Sequence, residues 1–217
     1  MKIRNILWVG MLSVIAVTAI AAPVNELSLS FDAAETLPPG WKADATHGKP
    51  AEWKVARDSH AQSSPNTLSI ARFNDMSGST FNLFWSPTTL FHNGVIEVNI
   101  RANSGDIDQG GGLIWRAQDA NNYYIARYNP LEKNLRLYYV KDGVRQMLAD
   151  SPRQNVGSDE WFTLKVAHRN TQIEAWLNGK KLIEKTDAIF TNAGGVGFWT
   201  KADANSAFDN IKVHPEN

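Results

Sequence analysis

The stretch GGGLIWRAQDANNYYIARYN, Gly110 to Asn129, decides the fold class of this chain. Apolar and polar side chains alternate on both sides of the turn DANN, and this period of two predicts two β-strands joined by a polar turn. Some fourteen short runs of this kind lie between Leu27 and His214, with Asn178-Gly179 as the clearest hairpin signal. There is almost no helical period, so the sequence predicts an all-β sandwich of two antiparallel sheets.

Each central strand has one apolar face and one mixed face. In the opening stretch Leu113, Trp115 and Ala117 alternate with Arg116, and in the next strand Arg127 lies among aromatic residues. Successive side chains of a strand point to opposite faces. The apolar sets are therefore predicted to form the core, and the arginines are predicted to point outward from neighbouring strands.

The N-terminus has the pattern of a signal peptide. Lys2 and Arg4 precede an apolar run, and Ala19-Ile20-Ala21 fits a cleavage site, which predicts a signal peptide at 1–21 and a single domain at 22–217. A retained membrane anchor is the alternative, but the run is short for a span of about 20 residues. We therefore expect an exported protein, periplasmic or secreted, with no stable membrane insertion after cleavage. Residues 38–66 are expected to form loops and short edge strands, not a domain boundary.

Composition excludes several function classes. The chain has 22 basic and 22 acidic residues, and removal of residues 1–21 would leave 20 against 22, a charge of −2. This balance gives no electrostatic footprint for nucleic acid. The absence of cysteine excludes disulfides, thiol catalysis, thiolate metal sites and lipidation of an N-terminal cysteine.

The mixed faces could bind a ligand, because aromatic rings pack on sugar C–H bonds and forked donors meet hydroxyl or carboxylate oxygens. The candidate ligand-binding residues are Asn99, Arg101, Arg116, Tyr123, Arg127, Arg136, Tyr138, Trp199 and Lys201. Their positive charge favours an anionic glycan. The alternative is that the arginine stems cover apolar surface while their charged ends stay in water.

Four stretches together resemble a known superfamily. They are GGGLIWRAQDANNYYIARYNP, LYYVKDG, EWFTLKVAHRNTQIEAWLNGKKL and GGVGFWTKADANSAFDNIKV. They resemble the concanavalin A-like lectin/glucanase superfamily, above all the laminin-G-like and DUF1080 (3-keto-disaccharide hydrolase-type) jelly rolls of exported bacterial proteins. The resemblance covers about residues 27–214. It implies a concave sheet that can hold an oligo- or polysaccharide, and a structural calcium ion at Asp32 and Asp209, with no organic cofactor.

Catalytic patterns are mostly absent from the sequence. The paired acids of glycosidases in this superfamily, E-x-D-x-x-E, are not found, and neither are H-E-x-x-H, G-x-S-x-G or a P-loop. Glu97 is the acid that lies within a strand on the predicted ligand face, and Asp106 and Asp108 would reach it only if their loop folds back. The sequence favours a non-catalytic carbohydrate-binding protein. A glycoside or 3-keto-glycoside hydrolase using Glu97, and a protein-interaction module, remain as alternatives.

Overall fold

The chain folds into β-strands throughout the residues that the computed structural model describes, 26–31, 36–63 and 65–216. The strands are β1 (Leu27–Leu29), β2 (Lys42–Thr46), β3 (Glu52–Arg57), β4 (Asn66–Arg72), β5 (Phe81–Phe91), β6 (Asn93–Ser104), β7 (Gly111–Asp119), β8 (Asn122–Asn129), β9 (Asn134–Lys141), β10 (Val144–Asp150), β11 (Trp161–Arg169), β12 (Gln172–Leu177), β13 (Lys180–Thr186), β14 (Gly194–Lys201) and β15 (Asn205–Glu216). No helix within these residues is long and apolar enough to cross a membrane. The predicted signal peptide lies outside them and stays a prediction, as does the extent of the single domain at 22–217.

The strands form two antiparallel sheets. The first sheet has the order β13-β12-β11-β6-β15-β4-β3, with β1 paired to β15, and the second has the order β10-β9-β8-β7-β14-β5-β2. The prediction of an all-β, two-sheet sandwich is therefore confirmed. The hairpin signal is confirmed as well, because Asn178 and Gly179 have φ values of 49° and 78° and join β12 directly to β13.

One strand was not predicted from the sequence pattern. β2 has the sequence KADAT, with alanine as its only apolar residue type, and it lies in the segment predicted to hold loops and edge strands. It is an edge strand, ordered by antiparallel pairing of Lys42–Thr46 with Trp85–Phe81 of β5. Its position, not its composition, makes it important for the site described below.

The main core lies between the two sheets and follows the predicted alternation. It includes Ile96, Val98, Ile100, Leu113, Trp115, Tyr124, Ala126, Tyr128, Leu135, Leu137, Val196 and Phe198. Ala117 was also predicted to lie in this core, and that prediction is wrong. Arg116 adopts a φ of 46°, and the register of β7 against β8 breaks after Trp115. This bulge adds a residue to the strand, so Ala117 packs with Ile114 on the outer face of the second sheet.

The second sheet is strongly curved toward its outer face. Its two edge strands, β2 and β10, are six inter-strand spacings apart, which would be roughly 29 Å in a flat sheet. Yet Nε2 of His47, next to β2, lies 3.0 Å from the carbonyl oxygen of Gly143, in the turn before β10. The outer face of the second sheet is therefore concave, and we call it the concave face.

Candidate functional site

The concave face carries a second apolar cluster, separate from the main core. Its members are Phe81, Leu83, Trp85, Ile114, Ala117, Tyr123, Ile125, Tyr138, Val140 and Trp199. All are at most 5% exposed, although they point away from the main core. They are buried because the curvature folds the sheet over its own outer side chains.

Contacts between distant strands close this cluster. The hydroxyl of Thr46 on β2 donates to the carbonyl of Ala120 and lies 2.6 Å from the hydroxyl of Tyr123 on β8. The Arg145 guanidinium covers the cluster, with Cζ 4.5 Å from the ring centroid of Tyr138, 4.9 Å from that of Phe81 and 6.0 Å from that of Trp199.

This closure bears on three predicted ligand residues. Tyr123 is fully buried, Trp199 is 1% exposed and Tyr138 is 4% exposed beneath Arg145, so none of the three rings is an open stacking surface for a sugar. Burial raises the pKa of the Tyr123 hydroxyl well above its usual value, more than the hydrogen bond to Thr46 lowers it, so this group stays protonated. All three residues support the floor of the concave face instead of offering an open ring surface.

Charged side chains lie beside the closed cluster. The Arg127 guanidinium bonds to Glu132 Oε2 at 2.7 Å, to Asn134 Oδ1 at 3.0 Å and to the Tyr138 hydroxyl at 3.3 Å. Arg136, opposite Arg127 in the register of β8 and β9, also reaches Glu132 Oε2 at 2.7 Å. Two predicted residues thus share one carboxylate that the sequence did not single out.

A second ion pair completes this group. Lys201 Nζ lies 2.9 Å from Asp108 Oδ2, and the side-chain amide of Asn129 donates to Asp108 Oδ1 at 2.9 Å. The Asp108 loop is held in place because the backbone N–H groups of 106–108 all donate to the carboxylate of Asp203. We call Asp108, Arg127, Glu132, Arg136 and Lys201 the charged rim of the concave face.

The rim is partly open to solvent. The Glu132 side chain is 40% exposed and that of Arg136 is 27% exposed, whereas Arg127 is almost wholly buried. Partial desolvation acts to raise the pKa of Glu132, but the hydrogen bond from Arg127 and the charges of Arg127, Arg136 and Lys201 outweigh it and lower that pKa. Glu132 is therefore an anion at neutral pH, able to accept hydrogen bonds or a proton.

Three predicted site residues lie on the opposite side of the molecule. Glu97, Asn99 and Arg101 alternate with core residues of β6, so they project from the outer face of the first sheet. Glu97 pairs in register with Lys165 and Lys212 there.

Asp108 pairs with Lys201 on the concave face, so its loop does not fold back to Glu97. Arg101 bonds to Asp58 Oδ2 at 2.7 Å and lies over the Trp161 ring. The expectation that β6 residues share one face with Arg127 is corrected, because β6 belongs to the other sheet.

Arg116 does not join Arg127 either. Its side chain leaves the bulge in β7 and donates to the backbone carbonyls of His92 at 2.8 Å, Phe190 at 2.7 Å and Asn170 at 3.1 Å. The residue is 1% exposed. It binds three connecting segments together, which makes its role structural, and the expected Arg116–Arg127 surface does not form.

The predicted calcium site can be described only at Asp209, since Asp32 lies outside the described residues. The Asp209 carboxylate accepts hydrogen bonds from the Ser63 N–H at 2.7 Å, the Ser63 hydroxyl at 2.6 Å and the Asn210 N–H at 2.8 Å. No group of three or more His, Asp or Glu side chains suited to a metal occurs within the described residues. These residues alone do not supply a calcium site, and the ion stays a prediction.

Sequence reasoning missed Glu132 and Arg145. Glu132 lies in the turn NPLEKN, where an acid ordinarily signals only solvation, and its pairing depends on Arg127 and Arg136 on the flanking strands. Arg145 follows the Asp142-Gly143 turn, and the register with Val140 places it on the concave face. The alternation of β10 could have assigned that face, but the contact with Phe81 depends on the curvature.

The fold and the concave face define the class of this protein, a two-sheet antiparallel β-sandwich of the jelly-roll type. A model of the family described as the 3-keto-alpha-glucoside-1,2-lyase-like domain matches residues 28–214, and the chain belongs to that family. No protein with curated annotation matches the chain by sequence.

Several solved structures share the fold. A carbohydrate-binding module, CBM66, from Bacillus subtilis is 19% identical, with a TM-score of 0.61 over 81% of this chain and 96% of that one. The cellulose-induced protein Cip1 is 16% identical, with a TM-score of 0.62 over 88% of this chain and 97% of that one. A structure described as a native glycosidic hydrolase is 13% identical, with a TM-score of 0.57 over 91% and 99%. At these identities the likeness shows a common fold.

Proposed function

We propose that this protein binds an oligo- or polysaccharide at the charged rim. The observation that carries the proposal is the convergence of Arg127, Arg136 and Lys201 with two carboxylates beside the Tyr138 ring. Forked guanidinium donors and carboxylate acceptors are the groups that recognise sugar hydroxyls and carboxylates in fixed geometry. The family match and the shared fold with a carbohydrate-binding module support a saccharide as the ligand.

The charges at the rim favour an anionic saccharide. Arg127, Arg136, Lys201 and the neighbouring Arg145 supply four positive charges, and Asp108 and Glu132 supply two negative ones. Asp150, bonded to Arg136 at 2.9 Å, adds a third negative charge and leaves a surplus of one cation. The carboxylate of a sugar would replace Glu132 as the acceptor of the arginine hydrogen bonds. The buried guanidinium of Arg127 would therefore keep a charged partner.

We expect Arg136→Ala to weaken retention on a carboxylated oligosaccharide at least about tenfold, because a hydrogen bond to a charged group contributes roughly 1.5–3 kcal/mol. Affinity electrophoresis with carboxylated and neutral oligosaccharides measures the change. Arg169→Ala is the matched control, because Arg169 is an exposed, ion-paired arginine on β11 of the first sheet. Equal retention of Arg136→Ala and wild type, with both folded by circular dichroism, would remove the rim as the binding site.

A second function is favoured by the family and by the two rim carboxylates. In a 1,2-elimination on a 3-keto-glucoside, a base takes the proton from C2, a C1=C2 double bond forms, and the C1–O bond breaks. The leaving alkoxide then gains a proton. Glu132 is ionised and partly open to solvent, so it is the rim carboxylate that we assign as the base, although its lowered pKa makes it a weaker base than an ordinary glutamate. The neighbouring cations would stabilise enolate charge next to the keto group.

An assay of a 3-keto-glucoside for the unsaturated product separates the two functions. If the protein is a lyase, Glu132→Gln should lower turnover at least a hundredfold, the usual contribution of a general base. Glu97→Gln should leave turnover unchanged, because Glu97 lies on the outer face of the other sheet. Saccharide binding by wild type without any turnover would identify a binding protein, and loss of turnover in Glu97→Gln would contradict the assignment of the site to the concave face.

A further inference from the structure

Exposed apolar side chains border the charged rim. Eight large hydrophobic residues are exposed within the described ranges, and six of them are 53–59% exposed. Four of these six, Met76, Ile107, Leu131 and Met147, lie on segments next to the rim. Single exposed hydrophobics are common on protein surfaces, but several around one polar site indicate an interaction surface. We call these four residues the apolar border.

Three of the four positions are tied to the site by sequence or by strand register. Ile107 directly precedes Asp108, and Leu131 directly precedes Glu132. Met147 is the partner of Tyr138 in the pairing of β10 with β9.

The fourth, Met76, lies in a loop that approaches Ile107, since a side chain at Gly78 would be 3.9 Å from Ile107 Cγ2. The loops before β5 and β7 and the turn after β8 thus present apolar groups beside the charged ones.

The border loops are held in fixed conformations. The Ile107 N–H donates to Asp203 together with its two neighbours. The Leu131 N–H donates to Asn129 Oδ1 at 2.8 Å, and Asn129 itself bonds to Asp108. The backbones of Ile107 and Leu131 are therefore fixed by the hydrogen bonds of the same loops that place Asp108 and Glu132. Exposed apolar side chains are unfavourably hydrated, so a ligand with an apolar part would gain free energy by covering them.

We infer that the saccharide bound at the rim carries an apolar aglycone, an alkyl or aryl group that packs against the apolar border. The inference rests on the proposed saccharide site and adds the chemical class of its ligand. The cations and carboxylates bind the sugar, and the border removes the aglycone from water. Met147 pairs with Tyr138, which lies two residues along β9 from the rim residue Arg136, about 7 Å by the strand rise, so an aglycone one sugar ring away from the rim reaches the border.

The test compares methyl, butyl and octyl glycosides of glucose and of glucuronic acid by calorimetry, below their micelle concentrations. We expect affinity to rise roughly twofold to fourfold for each added methylene that the border covers. In Ile107→Ser/Leu131→Ser this gain should disappear while affinity for the methyl glycoside is kept. Leu90→Ser/Ile189→Ser removes two other exposed hydrophobics and should keep the gain. Leu90 precedes Phe91, which pairs with Gly194 at the opposite end of β14 from Lys201, and Ile189 lies beside Gln118 at the end of β7. Met147→Ser is a third border variant, which should also reduce the gain and which alters a strand residue instead of a loop.

The outcomes distinguish a failure of the aglycone inference from a failure of saccharide binding at the rim. Equal binding of methyl and octyl glycosides by wild type would overturn the aglycone and leave saccharide binding intact. A gain that persists in the border variants would also overturn it, since the alkyl chain would then lie elsewhere. Binding of none of the glycosides would count against the saccharide site itself, and the inference would fall with it.

Discussion

His168 shows how a single residue is changed by its surroundings. It is fully buried on β11, where its Nδ1 accepts a hydrogen bond of 3.0 Å from the Trp115 indole and its ring packs edge-on against Tyr124. Burial, together with the nearby charge of Arg116, lowers the pKa of His168 to about 3. The imidazole is therefore neutral and structural, and it stabilises the end of the sandwich that Arg116 also ties together.

His168 should make stability depend on pH. Its pKa is about 6.5 in the unfolded chain and about 3 in the folded protein. Between these values the unfolded state binds the extra proton, so the contribution is fully present above pH 6.5 and is lost as pH falls. The slope is about 1.4 kcal/mol per pH unit. Urea unfolding between about pH 4 and 6 should show a shallower dependence in His168→Gln than in wild type. Parallel pH dependences of the two proteins would contradict a neutral buried imidazole.

The arginines show the same dependence on surroundings. Arg116 and Arg127 occupy similar positions in two alternating strands, yet one binds loop carbonyls and the other binds a rim carboxylate. The difference arises at the bulge after Trp115, which redirects Arg116 toward the end of the sheet. Nothing in the residue types themselves distinguishes the two.

At the scale of elements, the short edge strand β2 decides the shape of the concave face. It pairs with β5 at one edge, and its last residue, Thr46, reaches Ala120 and Tyr123 across the sheet. These contacts join distant strands and cover the aromatic cluster. The concave face is thereby a second packed layer with a charged rim, not an open groove lined by rings.

Thr46→Val tests this closure. The substitution leaves the Tyr123 hydroxyl buried without its Thr46 partner, so we expect a loss of about 1–3 kcal/mol in the free energy of unfolding. Adding Tyr123→Phe to Thr46→Val should recover part of the loss, because the unpaired hydroxyl is removed. The control is Thr186→Val on exposed β13, where little change is expected. Chemical denaturation measures all four proteins, and a Thr46→Val variant as stable as wild type would show that β2 does not hold the face closed.

At the scale of the whole molecule, the sandwich separates two polar surfaces that look alike in the sequence. β6 lies in the first sheet and β7, β8, β9 and β14 lie in the second, so Arg101 and Arg127 are on opposite outer faces. The chain has equal numbers of basic and acidic residues, so ligand attraction depends on local clusters and not on net charge. The rim is such a cluster, because five charged groups from separate strands and loops meet there.

The sequence by itself determined the two-sheet sandwich, most of the core and the strands other than β2. Period-two alternation is a local property, and it assigns Leu113, Tyr124 and Val98 to the interior without knowledge of the partner strands. The resemblance it carries is confirmed by the family match over residues 28–214. Its face assignments also placed Arg127, Arg136, Tyr138 and Lys201 on the correct side of their strands.

Only the tertiary structure decided which of these residues meet. Sheet membership, the bulge at Arg116 and the curvature that brings His47 to Gly143 all arise from pairings between strands distant in sequence. Alternation tells which side of its own strand a residue faces, but it does not tell which strands are neighbours or how far their sheet bends. Long-range packing sets the partners of a side chain. For this reason Glu132, which the sequence did not single out, belongs to the site, and Glu97, which it did, lies on the other sheet.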